Sequence, residues 1–201
     1  MHPTPAFRWD DQVAMLSFAA GRSFATLVDP SLRVAQAPLF VDADHSVYLH
    51  LSRANPMAQA MPVRVVAVVS GDDAYISPDW YESADQVPTW NYESVEIEGE
   101  LTPTDDAMLV RILEGLSAKH EAWIIGKKPW TLDKLSPGVL AAKLEGIIGA
   151  KLAYTSLRGT QKLLQNKSLA DRDAVVKQLA KSPSQMERGL AVRTVLAKRP
   201  G

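Results

Sequence analysis

The 201-residue chain contains no cysteine. This excludes disulfides, cysteine–zinc sites and thiol catalysis, and it fits a reducing cytoplasm, the expected location. No apolar run is long enough to span a membrane, and the start lacks the charged-then-apolar pattern of a secretion signal, so no membrane association is expected. An excess of either charge is also missing. The chain has 22 Lys and Arg against 23 Asp and Glu, a formal net charge of -1. Overall charge therefore provides no footprint for nucleic acid, which needs clustered cations. Repeats, low-complexity tracts, glycine-rich phosphate loops and the G-x-S-x-G elbow are absent. His2, His45, His50 and His120 are scattered, with no pair at the spacing of a metal-binding helix, and no metal is expected.

The rest of the composition is that of an ordinary globular protein, 46% hydrophobic and 22% charged. The length suits one domain over residues 1–201, with a barrel core over about 22–157 and a helical segment over about 160–199. A helix is predicted over residues 10–21. Short strands follow at Phe24–Val28, Val34–Val41, Ser46–Leu51, Arg64–Ser70, Ala74–Ser77 and Ser94–Leu101. Asp42–His45 reads as a hairpin turn, and Gly71 as the end of a strand. Asn55 and Pro56 read as the N-cap and first residue of a helical turn. With no long helix among these strands to serve as a parallel crossover, a mostly antiparallel barrel or sandwich is expected.

Val95 and Ile97 alternate with Glu96 and Glu98, so one face of that strand is wet. Thr102-Pro103-Thr104-Asp105-Asp106 is predicted to open a helix running to about Glu121, and a second helix is predicted over 136–145. Gly146–Leu157 reads as a return strand closing the barrel and Arg158-Gly159 as a turn, followed by short helices over 160–167, 171–181 and 184–198. The tail carries Arg172, Lys177, Lys181, Arg188, Arg193, Lys198 and Arg199 against Asp171, Asp173 and Glu187. It is the one stretch with enough cationic charge for DNA contact. An amphipathic helix with a solvated basic face explains the same residues.

The densest signal is Ala74-Tyr75-Ile76-Ser77-Pro78-Asp79-Trp80-Tyr81 followed by Val87-Pro88-Thr89-Trp90-Asn91-Tyr92. This stretch holds two of the five Trp and three of the five Tyr. Amphipathic aromatics at this density suit a ligand platform, a subunit interface or a tight core corner. Three further segments stand out: Phe24–Val28 running on to Ala37-Pro38-Leu39, His50-Leu51-Ser52-Arg53-Ala54-Asn55-Pro56, and Lys162-Leu163-Leu164-Gln165-Asn166. Together with the aromatic block, in this order, they resemble the PaiB-like family of FMN-binding negative transcriptional regulators over roughly residues 3 to 180. The chain departs from the family pattern at Leu49 (usually Gly), Leu164 (usually Ser) and Lys167 (usually Arg).

The resemblance implies a mainly β fold with α, an antiparallel, Greek-key-like split β-barrel with additional C-terminal helices. It also implies noncovalent FMN binding at a homodimer interface. Residues His50, Ser52, Arg53 and Asn55 would then hold the phosphate. Arg53 offers a planar fork and the helix start offers free amides, although the same residues also read as a helix cap, a surface charge and a strand histidine. Gln36, Ala37 and Pro38 would line the flavin ring, since small side chains let a flat ring reach the backbone and Pro38 argues for an edge or bulge. Trp80 and Trp90 would stack on the ring or seal the pocket, with core and dimer packing accounting for at least half of the aromatic block. Lys162, Gln165 and Asn166 would reach the ring from a partner subunit, or else cap a helix and close a turn. A flavin-dependent oxidoreductase, using a nicotinamide donor or a small substrate, is the alternative function, because the cofactor itself carries the redox chemistry.

Overall fold

The computed structural model describes residues 2–197. The chain elements are β1 (Arg8–Trp9), α1 (Gln12–Arg22), β2 (Phe24–Val28), β3 (Val34–Val41), β4 (Val47–Ser52), α2 (Pro56–Gln59), β5 (Val63–Ile76), β6 (Thr89–Pro103), α3 (Asp106–Glu121), α4 (Val139–Leu144), β7 (Ile147–Lys162), α5 (Leu169–Ala180) and α6 (Gln185–Leu196). They form two compact units. One contains Gln12–Val69 and Glu96–Leu157. The other contains the chain up to Asp11, Ser70–Val95 and the chain from Arg158 on. Among the described residues no helix is long and apolar enough to cross a membrane.

The first unit is the barrel. Its strands follow the order β7-β4-β3-β2-β5-β6, and a β6–β7 pairing closes the ring. β2, β3 and β4 form an antiparallel meander, and β5 returns to lie antiparallel beside β2, the Greek-key step. The β3–β4 hairpin forms at Asp42–His45 as predicted. Asp42 N–H donates to Ser46 O, and His45 takes a positive φ of 67°. Gly99 allows the closure between β6 and β7: a Cβ there would run into the Ala153 carbonyl. Leu27, Leu39, Leu49, Ala67, Ile97 and Leu152 fill the interior. α3 packs on the outer face of β3 and β4, with Ile112 and Leu116 against Tyr48 and Phe40. Asp105 caps α3 by accepting from Met108 N–H.

In the second unit, Ala74, Ile76, Leu163 and Leu164 pack with Val175, Leu179, Leu190 and Ala191 of α5 and α6. Asp171 ties the loop after β5 to α5, accepting from Glu82 N–H and Ser83 N–H at 3.0 and 2.9 Å.

Three expectations are corrected. Gly71 does not end a strand: it is buried in extended backbone and β5 runs unbroken to Ile76, because cross-strand pairing overrides the local signal. Arg158-Gly159 is not a turn, and the helix expected over 160–167 does not form: residues 160–162 are strand and 163–167 a turn. β7 continues to Lys162, and β1 pairs with it antiparallel, Trp9 opposite Gly159 and Arg8 opposite Thr160. That partner lies about 150 residues away in sequence, beyond the reach of any local pattern. Lys198 and Arg199 of the predicted basic tail lie outside the described residues.

Candidate functional site

The meander and the β4–α2 junction hold the predicted ring-lining and phosphate residues. The β3–β4 ladder pairs only Leu39–Val41 with Val47–Leu49. It stops at Pro38, which has no N–H to offer a neighbouring strand. On its other side β3 stays paired with β2, Ala37 opposite Ala25 and Gln36 opposite Thr26. Leu39 N–H points toward β2 and donates to Ser23 O at 2.9 Å. By the two-residue alternation of a strand, the backbone N–H and C=O of Gln36 and the C=O of Pro38 point the other way, to the edge that β4 leaves open. The Ala37 methyl points into the barrel core. The Gln36 carboxamide lies on the outer face, accepting from Thr26 Oγ1 at 3.0 Å.

Pro38 and His50 line one cavity of about 450 Å³ with Phe24, Leu113, Leu116 and His120. His50 sits on β4 opposite Gly149. Its Nδ1 is buried without a hydrogen-bond partner. Burial holds the His50 pKa below its usual value of 6.5, so the ring is neutral at neutral pH. Beyond Ser52 the chain turns into α2. Arg53 N–H donates to Gly146 O, and its guanidinium is half-exposed, 4.0 Å from an exposed Asp106 carboxylate. So loose an exposed pair leaves the cation available to another anion. Asn55 caps α2 by accepting from Met57 N–H at 2.9 Å, and Pro56 has no N–H. The one-turn helix thus has few free amides, and an anion at this junction would depend chiefly on Arg53 and the Ser52 hydroxyl.

The remaining predicted residues belong to the other unit. Trp80 ends a short 3-10 turn capped by Ser77 and packs against the α5–α6 core. Trp90 is 56% exposed, with Tyr75 edge-to-face at 6.2 Å. Both polar groups of Gln165 are engaged at the end of β7: Oε1 accepts from Leu163 N–H and Nε2 donates to Gln161 O. Lys162 and Asn166 line a second cavity with Asn91 and Tyr81. In the tail, Arg172 is buried and donates to Thr194 O, while Arg193 pairs with Glu93. Part of the tail's positive charge is therefore used within this unit.

Sequence reasoning missed Asn91 and Glu93, both buried on β6. A signal was present: they share the inward parity of Val95 and Ile97. Polar residues on an apolar parity are either paired or aimed at a ligand. The cavity residues Leu113, Leu116 and His120 left no such signal, since they only continue the stripe of a covering helix.

Residues 1–156 match the family described as "Putative FMN-binding domain". The chain belongs to this family. This PaiB-like chain is 32% identical over 171 residues to the protease synthase and sporulation protein PAI 2 of Bacillus subtilis, covering 81% of each. It is 25% identical over 179 residues to an uncharacterized protein of Aspergillus fumigatus, covering 71% of this chain and 69% of the relative. Among solved structures it resembles the flavocytochrome Anf3 of Azotobacter vinelandii, with a TM-score of 0.54 and 16% identity over 80% of this chain and 72% of that one. It also resembles the conserved protein Rv2991 of Mycobacterium tuberculosis, with a TM-score of 0.55 and 12% identity over 81% and 91%. At such identities these two establish the PaiB-like chain's barrel fold and nothing further.

Proposed function

We propose that the chain binds FMN noncovalently on the barrel unit, along the open edge of β3 and the β4–α2 junction, as a homodimer. The observation that carries this reading is the parting of β3 and β4 at Pro38, beside a His50 nitrogen that is buried and unpartnered. The exposed backbone of Gln36 and Pro38 suits the hydrogen-bonding edge of a flavin ring. The His50 Nδ1 would gain a partner from the ligand, removing the cost of a buried orphan. Arg53, with Ser52, would hold the phosphate. The donor set therefore fits FMN: neutral and amide-like along the ring, cationic at one end. When bound, FMN supplies redox chemistry, while the protein contributes orientation and electrostatics.

Membership in an FMN-binding family supports the cofactor; the regulatory role rests on the resemblance to negative transcriptional regulators and on a Bacillus subtilis relative named for protease synthase and sporulation. The oxidoreductase reading draws on the cavity beside Pro38 and His50, which could admit a small apolar substrate next to the ring. Purified protein should carry a yellow flavin absorbance band or acquire one with added FMN. Bleaching of that band by NADH or NADPH under anaerobic conditions would favour the oxidoreductase. A bound flavin inert to both would favour the regulator. Failure to bind FMN at micromolar concentration would overturn the proposal.

A further inference from the structure

The unit built from the ends of β5, β6 and β7 with α5 and α6 contains a cavity of about 270 Å³, below the usual range for drug-sized ligands. At its base lies Asn91, fully buried, with neither Oδ1 nor Nδ2 hydrogen-bonded. A carboxamide in that state forfeits up to four hydrogen bonds, a cost that native interiors seldom carry without a purpose. The Tyr81 hydroxyl, also on the lining, is buried and unpartnered too. Two ammonium groups share the cavity. Lys162 donates to Thr89 Oγ1 at 2.5 Å and lies 6.0 Å from the Phe7 ring. Lys167 donates to Gln86 Oε1 at 2.6 Å and lies 5.2 Å from the Tyr81 ring. Among the described residues the lining includes no carboxylate. Burial and the neighbouring Lys167 cation both lower the Lys162 pKa, so an anion placed between the two would favour the charged form.

We propose that this cavity binds a small organic acid whose carboxylate lies between Lys162 and Lys167 and whose lactam or primary carboxamide pairs with Asn91. The geometry of Asn91 selects the second group. Its side chain presents a donor and an acceptor side by side, and a cis amide returns the complementary pair. A lone inorganic anion would leave Asn91 unsatisfied, and a ligand ammonium would be repelled by the two lysines. Phe7 and Tyr81 provide flat walls for a compact ring. The site uses none of the barrel-unit residues proposed for FMN, but Lys162 and Asn166 are also the residues that the family resemblance would bring to the flavin from a partner subunit, so competition by FMN separates the two readings.

Calorimetric titration of the purified protein with 5-oxoproline tests it, with cyclopentanecarboxylate, 2-pyrrolidinone and inorganic phosphate as probes that each lack part of the recognised chemistry. We expect saturable 5-oxoproline binding at least roughly tenfold tighter than any comparator. Lys162→Met and Lys167→Met should each weaken it by about tenfold. Asn91→Leu should abolish the preference over cyclopentanecarboxylate while leaving the melting temperature unchanged or raised. If Lys162→Met fails to fold, Lys167→Met at the cavity rim carries the same prediction. No saturation at about 10 mM 5-oxoproline would overturn the proposal, since that is weaker than specific recognition requires. Equal affinity in wild type and all variants would also overturn it. Competition by FMN would assign the cavity to the flavin and overturn it as a separate site.

Discussion

Pro38 and His50 line the same cavity from neighbouring strands whose ladder ends one residue earlier, at the Leu39–Leu49 pair. The sheet opens at the one residue of β3 that cannot donate a hydrogen bond, and the opening faces a histidine nitrogen with no partner.

The first prediction concerns His50 and acid. Its folded pKa is lowered below the unfolded value by burial. Between the two values the unfolded chain binds more protons than the folded one, so stability rises with pH there. The contribution is complete above about pH 6.5 and is lost as pH falls toward the folded pKa. Thermal melts of the flavin-free protein between about pH 5 and 7.5 should show this loss, and His50→Gln should flatten the profile. Parallel profiles for the two proteins would show that His50 is not the group responsible.

Arg53→Ala should weaken FMN binding with little effect on stability, because the guanidinium is half-exposed and only loosely paired with Asp106. Loss of a charge-assisted hydrogen bond corresponds to about 1.5–3 kcal/mol, roughly tenfold or more in affinity. Riboflavin, which lacks the phosphate, should bind the wild type less tightly than FMN and should hardly distinguish wild type from variant. Fluorescence titration measures all four affinities. An unchanged FMN affinity in Arg53→Ala would remove Arg53 from the site.

In the second unit, Arg193 closes a two-pronged ion pair on Glu93, with Nε and Nη2 at 2.8 and 2.7 Å from a carboxylate that is 2% exposed. Gln161 Nε2 adds a third donor at 2.9 Å. Removing the cation strands a buried charge, a cost of about 3 kcal/mol or more. Arg193→Ala should therefore lower the urea midpoint markedly, and adding Glu93→Gln should restore part of the loss. A urea midpoint unchanged in Arg193→Ala would mean that water replaces the arginine at no cost.

Much of the barrel was legible in local pattern. Asn55-Pro56 marked the start of α2, Asp42–His45 the hairpin, and the alternation around Val95 and Ile97 the wet and dry faces of β6. The missing parts depended on distant partners. Strand β1 and the last residues of β7 are extended because they pair with each other, and Gly71 continues β5 as part of one unbroken strand. Arg53 and Ser52, the side chains proposed for the phosphate, could be placed at the end of β4 from the sequence. The reading of free helix amides there was not upheld, because Asn55 and Pro56 had already removed the two most available ones.

The last prediction is the dimer. On the outer face of β2 and β3, Phe24 is 52% and Val34 63% exposed. They share that face with Thr26, Gln36 and Pro38, next to the open edge of β3. An apolar outer face beside a proposed ligand edge is a surface that a second copy would cover, and an obligate interface of this kind buries about 2,000 Å² or more. Sedimentation velocity at micromolar concentration should therefore show a dimer. The double variant Phe24→Ser, Val34→Ser should shift it to monomer while the barrel stays folded, since neither side chain contributes to the interior. If FMN is held between two copies, Val34→Ser alone, which leaves Arg53, His50 and the Phe24 cavity wall intact, should also weaken flavin binding. A dimer that survives the double substitution would move the interface to another face. A flavin-loaded wild-type monomer would rule out assembly as a condition of binding, and the open edge of β3 would then have to hold the flavin within one chain.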